Sequence, residues 1–505
     1  MKISLKTLLA SLLVVVSSSP MWAQTLTLEQ CRQMAIENNR DLQQARTKVE
    51  MAGYDKKSAL ANYFPKVSAT GMYLHNTRDI SIISDDMSVA LTNAGTTVQG
   101  SISSTMQTLM GAITSNPAAA MEYMKSPMWQ TVMGALSQTD LSQAINALGT
   151  EIDNALHPDF SNVYAGVVSL QQPLFMGGKI IAANKVAGLA EQLSKTQYEQ
   201  QYQQIIVDVD QAYWQIVSIA AKKNLAEAYA DLLHQMQKDV AAAVAEGIAT
   251  ESDALTIKVK TNEADMLLTK SINGLGLAKM LLCKEIGLDL SSEITLADEN
   301  LDAVPVPQFG SDKSLEEIYE DRSEIKSLDL ASRIYEGKVA IARADMLPTV
   351  ALTSNYLLTN PSAFNGITKD WGGMFNVGVM VNVPIFHGFE AVQKTRKAKA
   401  EASLYRSQLE GAKDLVNLQV TQLRKQQSEV LEKVAMAENN LSAAEENLRT
   451  ATIGFENGVI DASVALAAQT AWLQAHSEYI DAGIELQMTF SNLQKAEGNF
   501  KSDIQ

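Results

Sequence analysis

Cysteine, histidine and long apolar runs are all scarce in this 505-residue chain, and each scarcity excludes something. Two cysteines, Cys31 and Cys283, make no disulfide framework in an exported protein of this size. They could pair with each other, but two isolated semi-buried thiols are the simpler reading. The five histidines (His75, His157, His234, His387, His476) show no metal-ligand spacing, and the chain has no phosphate-binding glycine loop or G-x-S-x-G elbow. No enzyme activity, cofactor or metal site is therefore expected. There is no basic block, and the net charge is −16, which argues against nucleic acid as a partner. Beyond the N-terminus no run of about 20 apolar residues is found, so no spanning helix is expected and a membrane role falls to strands.

What is present begins with a leader. Lys2 and Lys6 precede the apolar run Leu8 to Val16, and Ser17-Ser18-Ser19-Pro20-Met21-Trp22-Ala23 follows. That order is that of a secretory signal peptide over 1–23. Its loss takes two lysines and moves the formal charge to −18.

An internal repeat organises the rest. At a shift of 211, Pro173, Phe175 and Gly177 fall on Pro384, Phe386 and Gly388. The same register carries Gly247, Ser252 and Leu255 onto Gly458, Ser463 and Leu466, and Lys284 and Gly287 onto Lys495 and Gly498. A second register, at 283, places Leu42, Pro65 and Tyr73 on Ile325, Pro348 and Tyr356. Repetition of this kind fixes the architecture before any local detail. The unit is a set of short helices, two strands and a long helical hairpin. The expected segments are 24–66 (short helices), 67–76 and 161–173 (strands 1 and 2), 77–160 (an insertion between them) and 174–287 (hairpin 1). After a Pro- and acid-rich linker, 288–314, come 315–347 (short helices), 348–358 and 374–384 (strands 3 and 4), 385–498 (hairpin 2) and a tail, 499–505.

The hairpins read as helices by period. From Ala398 apolar residues recur through 402, 405, 409, 412, 416, 420 and 423, and from Val430 through 434, 437, 441, 444, 448, 451 and 455. Alternating steps of three and four are coiled-coil spacing. Each long helix is expected to run about 65 residues, roughly 100 Å. The strands alternate with period two: Phe375, Val377, Val379, Val381 and Val383 face one way, Asn376, Gly378 and Asn382 the other. An apolar face opposite an Asn/Gly face, about ten residues long, suits a membrane barrel wall. Proline lacks a ladder donor, so Pro65, Pro173, Pro348 and Pro384 are expected to end the sheet at each strand–helix junction. Gly177 and Gly388 then relieve crowding as the chain swings into the helix.

Four strands cannot close a barrel, and an open edge in lipid leaves backbone groups unsatisfied. Three chains sharing one barrel give twelve strands and an aqueous lumen. Duplication, the strand-Pro-Phe-x-Gly-helix junctions, and the turns AEGIATESDAL and ENGVIDASVAL together make the chain similar to the TolC-like outer membrane efflux proteins. The resemblance spans essentially the whole mature chain. It implies a mostly α fold with a small β part: a homotrimer with a 12-stranded outer membrane β-barrel and a long α-helical periplasmic barrel. It further implies a passive exit duct of a tripartite efflux or secretion system in a Gram-negative outer membrane. Its partners would be outer membrane lipid, a periplasmic adaptor and an inner membrane pump of the RND, ABC or MFS type.

The glycine turns reverse each long helix. Gly247 and Gly458 supply left-handed residues, and Thr250 or Ser252, and Asp461 or Ser463, can cap the helix that follows. The resemblance makes these turns the periplasmic tip, where an adaptor docks and the entrance closes. The residues expected there are Gly247, Ile248, Ser252, Asp253, Leu255, Gly458, Val459, Asp461, Ser463 and Leu466. The pattern departs from better-known members in one respect. The aspartate pair they carry after the second glycine turn is matched here by Val464 and Ala467, so a cation block would need Glu251, Asp253 or Asp461.

The insertion holds seven methionines, among them Met106, Met110, Met121, Met124 and Met128. Their spacing fits short amphipathic helices. Thioethers ligate Cu(I), yet no His or Cys accompanies them, and an external helical cap is the expectation. The alternative reading of the whole is a secreted or periplasmic coiled-coil structural or adhesive protein. Cargo is not readable from the sequence.

Overall fold

The computed structural model describes residues 25–77, 81–115, 121–122, 124–136, 141–157, 160–247, 249–301, 304–364 and 367–502. The expected leader and Ile248 lie outside the described residues. In chain order the elements are β1 (Thr25–Leu26), α1 (Leu28–Asn38), α2 (Arg40–Ala61), β2 (Lys66–His75), α3 (Asp85–Thr92), α4 (Ala94–Ser115), α5 (Pro127–Leu136), α6 (Leu141–Leu156), β3 (Asn162–Met176), α7 (Lys179–Ala245), α8 (Glu251–Glu285), β4 (Thr295–Leu296), α9 (Leu315–Asp321), α10 (Ser323–Ala344), β5 (Thr349–Asn360), β6 (Gly372–Asn382), α11 (Glu390–Glu456) and α12 (Ala462–Ala496). They fall into two compact units. One is helical, within 1–60, 178–346 and 386–505; the other, within 61–177 and 347–385, carries the four-stranded sheet.

The repeat is visible in element lengths. α7 and α11 each have 67 residues, and α8 and α12 each have 35. α2 and α10 each have 22. Two equivalent glycines show why the register is held so closely. Gly287 and Gly498 both have positive φ, 76° and 70°, where an L side chain is strained. A Cβ on Gly287 would sit 2.5 Å from Asn38, and one on Gly498 2.8 Å from Asp321. Asn38 and Asp321 are themselves repeat partners at the shift of 283, so both copies use the same close approach.

In the helical unit, α8 folds back on α7 and α12 on α11, and α12 also packs on α7. Higher along the long helices, α10 lies between α7 and α11. α2 is tied to α7 by Lys56–Glu191 (2.6 Å) and by Asn184 Nδ2 donating to the Ala59 carbonyl. The main core surrounds the middle of α7, where Val209, Tyr213 and Ile216 meet Cys31 and Ala35 of α1, Leu282 of α8 and Leu296 of β4. Both cysteines are buried free thiols in that core. Burial, with a smaller push from Cys283, raises Cys31 to about 12, so it stays protonated.

Three expectations need correction. The segment 288–314 is not a mere linker: β4 pairs in parallel with β1, Leu296 is buried, and Asp298 accepts from Tyr213 Oη at 2.6 Å. Apolar Ile294 and Leu296 fasten it to the core despite its prolines and acids. Second, α8 is long and apolar enough to cross a membrane by length and composition. It instead lies along α7, burying Ile257, Ala264, Ala278 and Leu282. Third, Pro173 does not end its strand, for a reason visible in the sheet.

That sheet is antiparallel in the order β2-β3-β5-β6, leaving β2 and β6 as open edges. β3 continues through Pro173, which pairs with Ala351, and bulges at Leu174 before Phe175 pairs with Val350. A bulge adds an unpaired residue, so the proline's missing donor is tolerated there. β6, by contrast, stops at Asn382, two residues before Pro384. Pairing register sorts the side chains into two faces. One carries Val67, Val168, Leu170, Leu352, Tyr356, Phe375, Val377, Val379 and Val381. The other carries Ser68, Thr70, Ser169, Gln171, Thr353, Asn355, Asn376 and Asn382, with Asn355 Nδ2 donating to Asn376 Oδ1 at 3.1 Å. The apolar and Asn/Gly alternation read from β6 thus extends across all four strands.

Candidate functional site

The two glycine turns lie at the far ends of the long helices. α7 ends at Ala245, and Gly247 takes φ +75°; α11 ends at Glu456, and Gly458 takes φ +68°. No atom lies within 4 Å of a Cβ built on either, so the backbone angle alone demands glycine. Past the first turn, Thr250 caps α8 reciprocally. Its hydroxyl accepts from Asp253 N–H (3.2 Å), while Asp253 Oδ2 accepts from the Thr250 N–H (3.0 Å) and hydroxyl (2.7 Å). Those bonds hold the Asp253 carboxyl below the usual carboxylate range. Ser252 and Asp253 are exposed, and Ser252 does not cap.

The second turn is built differently. Val459 and Ile460 N–H both reach the Gly454 carbonyl (2.8 and 3.3 Å), and Asp461 holds the cap position of α12 without a side-chain cap bond. Asp461 and Ser463 are exposed, and Val459 projects with 78% of its surface free. Beneath both turns a shared cluster joins the hairpins: Leu233, Met236 and Val240 of α7, Ile257 and Ala264 of α8, and Ala465 and Leu466 of α12, with Phe455 of α11 against them. The structure therefore brings the turns together. Leu255 is exposed, but Leu466, its repeat partner, is buried and acts in packing, so it offers no surface in a single protomer.

Around this tip the sequence places Glu246, Glu251, Asp253, Glu456 and Asp461, with no basic residue in 245–255 or 456–466. Val464 and Ala467, at the positions of the missing aspartates, are exposed. The tip thus presents apolar side chains among carboxylates that have no basic residue beside them in these turns, Asp253 being held by Thr250. Among the described residues no group of three or more His, Cys, Asp or Glu is placed to hold a metal ion.

The strand–helix junctions form a second set of positions. Gly177 and Gly178 take φ +61° and +82°, and Gly388 and Phe389 take φ +57° and +64°. Pro65 and Pro348 sit immediately before β2 and β5. Phe175 is half exposed; Phe386 is exposed and meets Phe389 edge to face at 5.6 Å. Sequence reasoning missed Phe389 and its neighbour Ile385, which is 93% exposed. The shift of 211 holds the signal, since it places Phe389 on Gly178. At the other end of the sheet, Tyr73, Tyr164 and Trp371 run in series with ring centroids 5.0 and 6.1 Å apart. Tyr73 Oη donates to Asn162. The apolar sheet face thus carries exposed aromatic residues toward both of its ends, Phe175 at one and Tyr73 and Tyr164 at the other.

A family model described as outer membrane efflux protein matches residues 133–269 and 315–499, more than half of the chain. None of the curated proteins compared with it matches in sequence. In fold it is similar to the CmeC outer membrane channel of Campylobacter jejuni, with a TM-score of 0.68 at 14% identity over 93% of this chain and 85% of that one. It is likewise similar to the outer membrane protein VceC of Vibrio cholerae, with a TM-score of 0.68 at 13% identity over 93% and 96%. The open state of the MtrE outer membrane channel of Neisseria gonorrhoeae gives 0.65 at 14% identity over 93% and 88%.

Proposed function

The chain belongs to the outer membrane efflux protein family, and from that premise we propose that it is the passive exit duct of a tripartite efflux or secretion system. As a member it resides in the outer membrane of a Gram-negative bacterium and extends into the periplasm. Three copies share one twelve-stranded barrel, and the hairpin tips open when a periplasmic adaptor and an inner membrane pump of the RND, ABC or MFS type engage them.

One observation carries this reading: the protomer is unsaturated on both flanks in both of its layers. The sheet leaves β2 and β6 without neighbours. In the helical unit, α2 and α8 on one flank expose Tyr54, Met266 and Leu277, while α11 on the other exposes Leu415, Leu418 and Met436. Flanks that differ in kind join head to tail, and such contacts close into rings. In lipid that closure also satisfies every strand edge. The apolar sheet face then meets lipid, with Phe175, Phe386 and Phe389 at one interface and Tyr73, Tyr164 and Trp371 at the other. The Ser/Thr/Asn/Gln face lines the lumen.

At the tip, Gly247, Ser252, Asp253, Leu255, Gly458, Val459, Asp461 and Ser463 supply the adaptor surface and the gate. With Val464 and Ala467 in place of carboxylates, closure rests on apolar contact, and Glu251, Asp253 and Asp461 set the local negative field. The deciding experiment is the native mass of the protein extracted from outer membranes in mild detergent. Three chains are expected; a monomer, or recovery without detergent, removes the closed barrel and returns the coiled-coil structural reading.

A further inference from the structure

In the insertion between β2 and β3, helices α3, α4 and α6 pack into a helical body. Gly95 of α4 lies against Ser142 and Asn146 of α6, where a Cβ would fall 2.2 Å from the Ser142 carbonyl oxygen, and Gly95 N–H donates to Asn146 Oδ1. Gly149 of α6 approaches Leu91 of α3 as closely. The body is fastened to the end of the β2–β3 hairpin remote from Pro65 and Pro173: Asn76 N–H reaches the Ser161 carbonyl, and Ile82 N–H that of Leu156. The family match leaves residues 81–132 uncovered.

Its surface is unusual for one facing water. Residues 87–150 contain three charged side chains, Glu122, Lys125 and Asp140, in a chain that is 19% charged. In their place stand exposed apolar residues, among them Met110, Met121, Met128, Leu141 and Leu148. Surfaces that remain in solvent carry mixed charge, and surfaces that meet a different protein commonly carry complementary charge. Near a rotational axis each residue lies close to its own copy, so any charge faces its like. An uncharged surface rich in methionine, serine and threonine is the kind that can meet itself there.

Resting on the trimeric duct reading, we infer that the insertions of the three copies pack on one another through these uncharged faces and cover the external mouth. Reach is sufficient. Twelve tilted strands spaced about 4.8 Å apart enclose a mouth roughly 25 Å across. α4, at 22 residues, is about 33 Å long. The occupant of the apolar face is a second copy of this chain, not lipid or a different surface protein.

The test uses full-length protein in outer membranes, with Met110→Cys and Met128→Cys introduced singly. The native thiols are buried and give little background. A short bismaleimide is expected to link Met110→Cys or Met128→Cys protein into a band of two copies, since the single accessible thiol of each chain can join one other chain only. Separately, replacing 84–157 with a short turn is expected to raise severalfold the rate at which an impermeant maleimide added outside intact cells labels Asn376→Cys on the polar sheet face, while the native mass stays that of three chains. A trimer in which neither variant links copies, or links only to another protein, overturns the inference, as does an unchanged labelling rate after the replacement. Loss of the trimer in the unaltered protein would count against the duct reading instead.

Discussion

Phe389 holds a backbone conformation that its repeat partner, Gly178, takes without cost. A left-handed non-glycine residue stores about 1 kcal/mol or more. Phe389→Gly is therefore expected to raise the unfolding temperature of the detergent-solubilised protein, and Gly388→Ala to lower it, as followed by tryptophan fluorescence. A fall with Phe389→Gly would mean that the Phe386–Phe389 contact outweighs the strain. Asp210 offers a larger effect. Its side chain is fully buried, accepts two bonds from Arg32 at 2.7 Å, and also accepts from Ser491. Asp210→Ala leaves the Arg32 guanidinium without its partner and is expected to cost about 3 kcal/mol, read in the same melting experiment. In the sequence Phe389 is marked only by its match to Gly178 at the shift of 211, and Asp210 is not marked at all. Asp210 looks like any charged residue of a coiled coil until α1 and α12 are placed against it.

Among the elements, the helices were the most legible. Of the six buried residues of α11, five (Ala398, Val416, Val420, Val430, Ala451) fall on the apolar register read from sequence. Equal lengths of the paired helices follow from the gap-free shift of 211. Strand ends were less legible, because a proline reads as a stop whether or not a bulge lets the strand pass. Leu174 is the residue that decides this. Deleting it restores regular pairing with Phe175 still opposite Val350 on the apolar face, but removes the bend and leaves Pro173, without a donor, in an unbroken ladder. The expected result is less heat-modifiable trimer in outer membranes, with total expression unchanged. The tips divided in the same way: both glycines were legible, but not that Thr250 caps and Asp461 does not. Because Asp253 is held below its unfolded value, the cap's contribution is present above that unfolded value and is lost as pH falls through the lowered folded one. Hydrogen exchange in residues 250–256, corrected for intrinsic rate, should hold steady through mild acid and rise only under roughly pH 4. Thr250→Ala should raise it at every pH, by the equivalent of about 1 kcal/mol.

At the scale of the whole molecule, the open flanks make assembly the central test. Leu415 and Leu418 are exposed on α11, and Leu277 on α8. Leu415→Glu and Leu277→Glu are each expected to shift the detergent-extracted protein from three chains toward one, measured by native mass, while helix content by circular dichroism is kept. Retention of the trimer in both would move the contact elsewhere on those helices. The proposed trimer follows from the strand count, and the exposed flanks add support from a second layer that the sequence did not single out.

The splicing of short helices along long ones has a mechanical consequence. α11 is continuous for 67 residues, while the helices beside it, α12 and α10, meet end to end near Ala496 and Ser323. A rod splinted by two shorter rods is least stiff where the splints meet. At that level Arg322 reaches the Ala496 carbonyl and Gln419, Arg424 holds Glu497, and Gln203 of α7 donates to the Phe500 carbonyl. Beside those polar bonds Ile318, Ile325, Val416, Val420 and Ala496 pack into one apolar cluster, so the splice is gripped as well as bridged where the rod would otherwise be weakest. The height of that splice is fixed by Gly287 and Gly498, where the chain passes Asn38 and Asp321 too closely for a side chain.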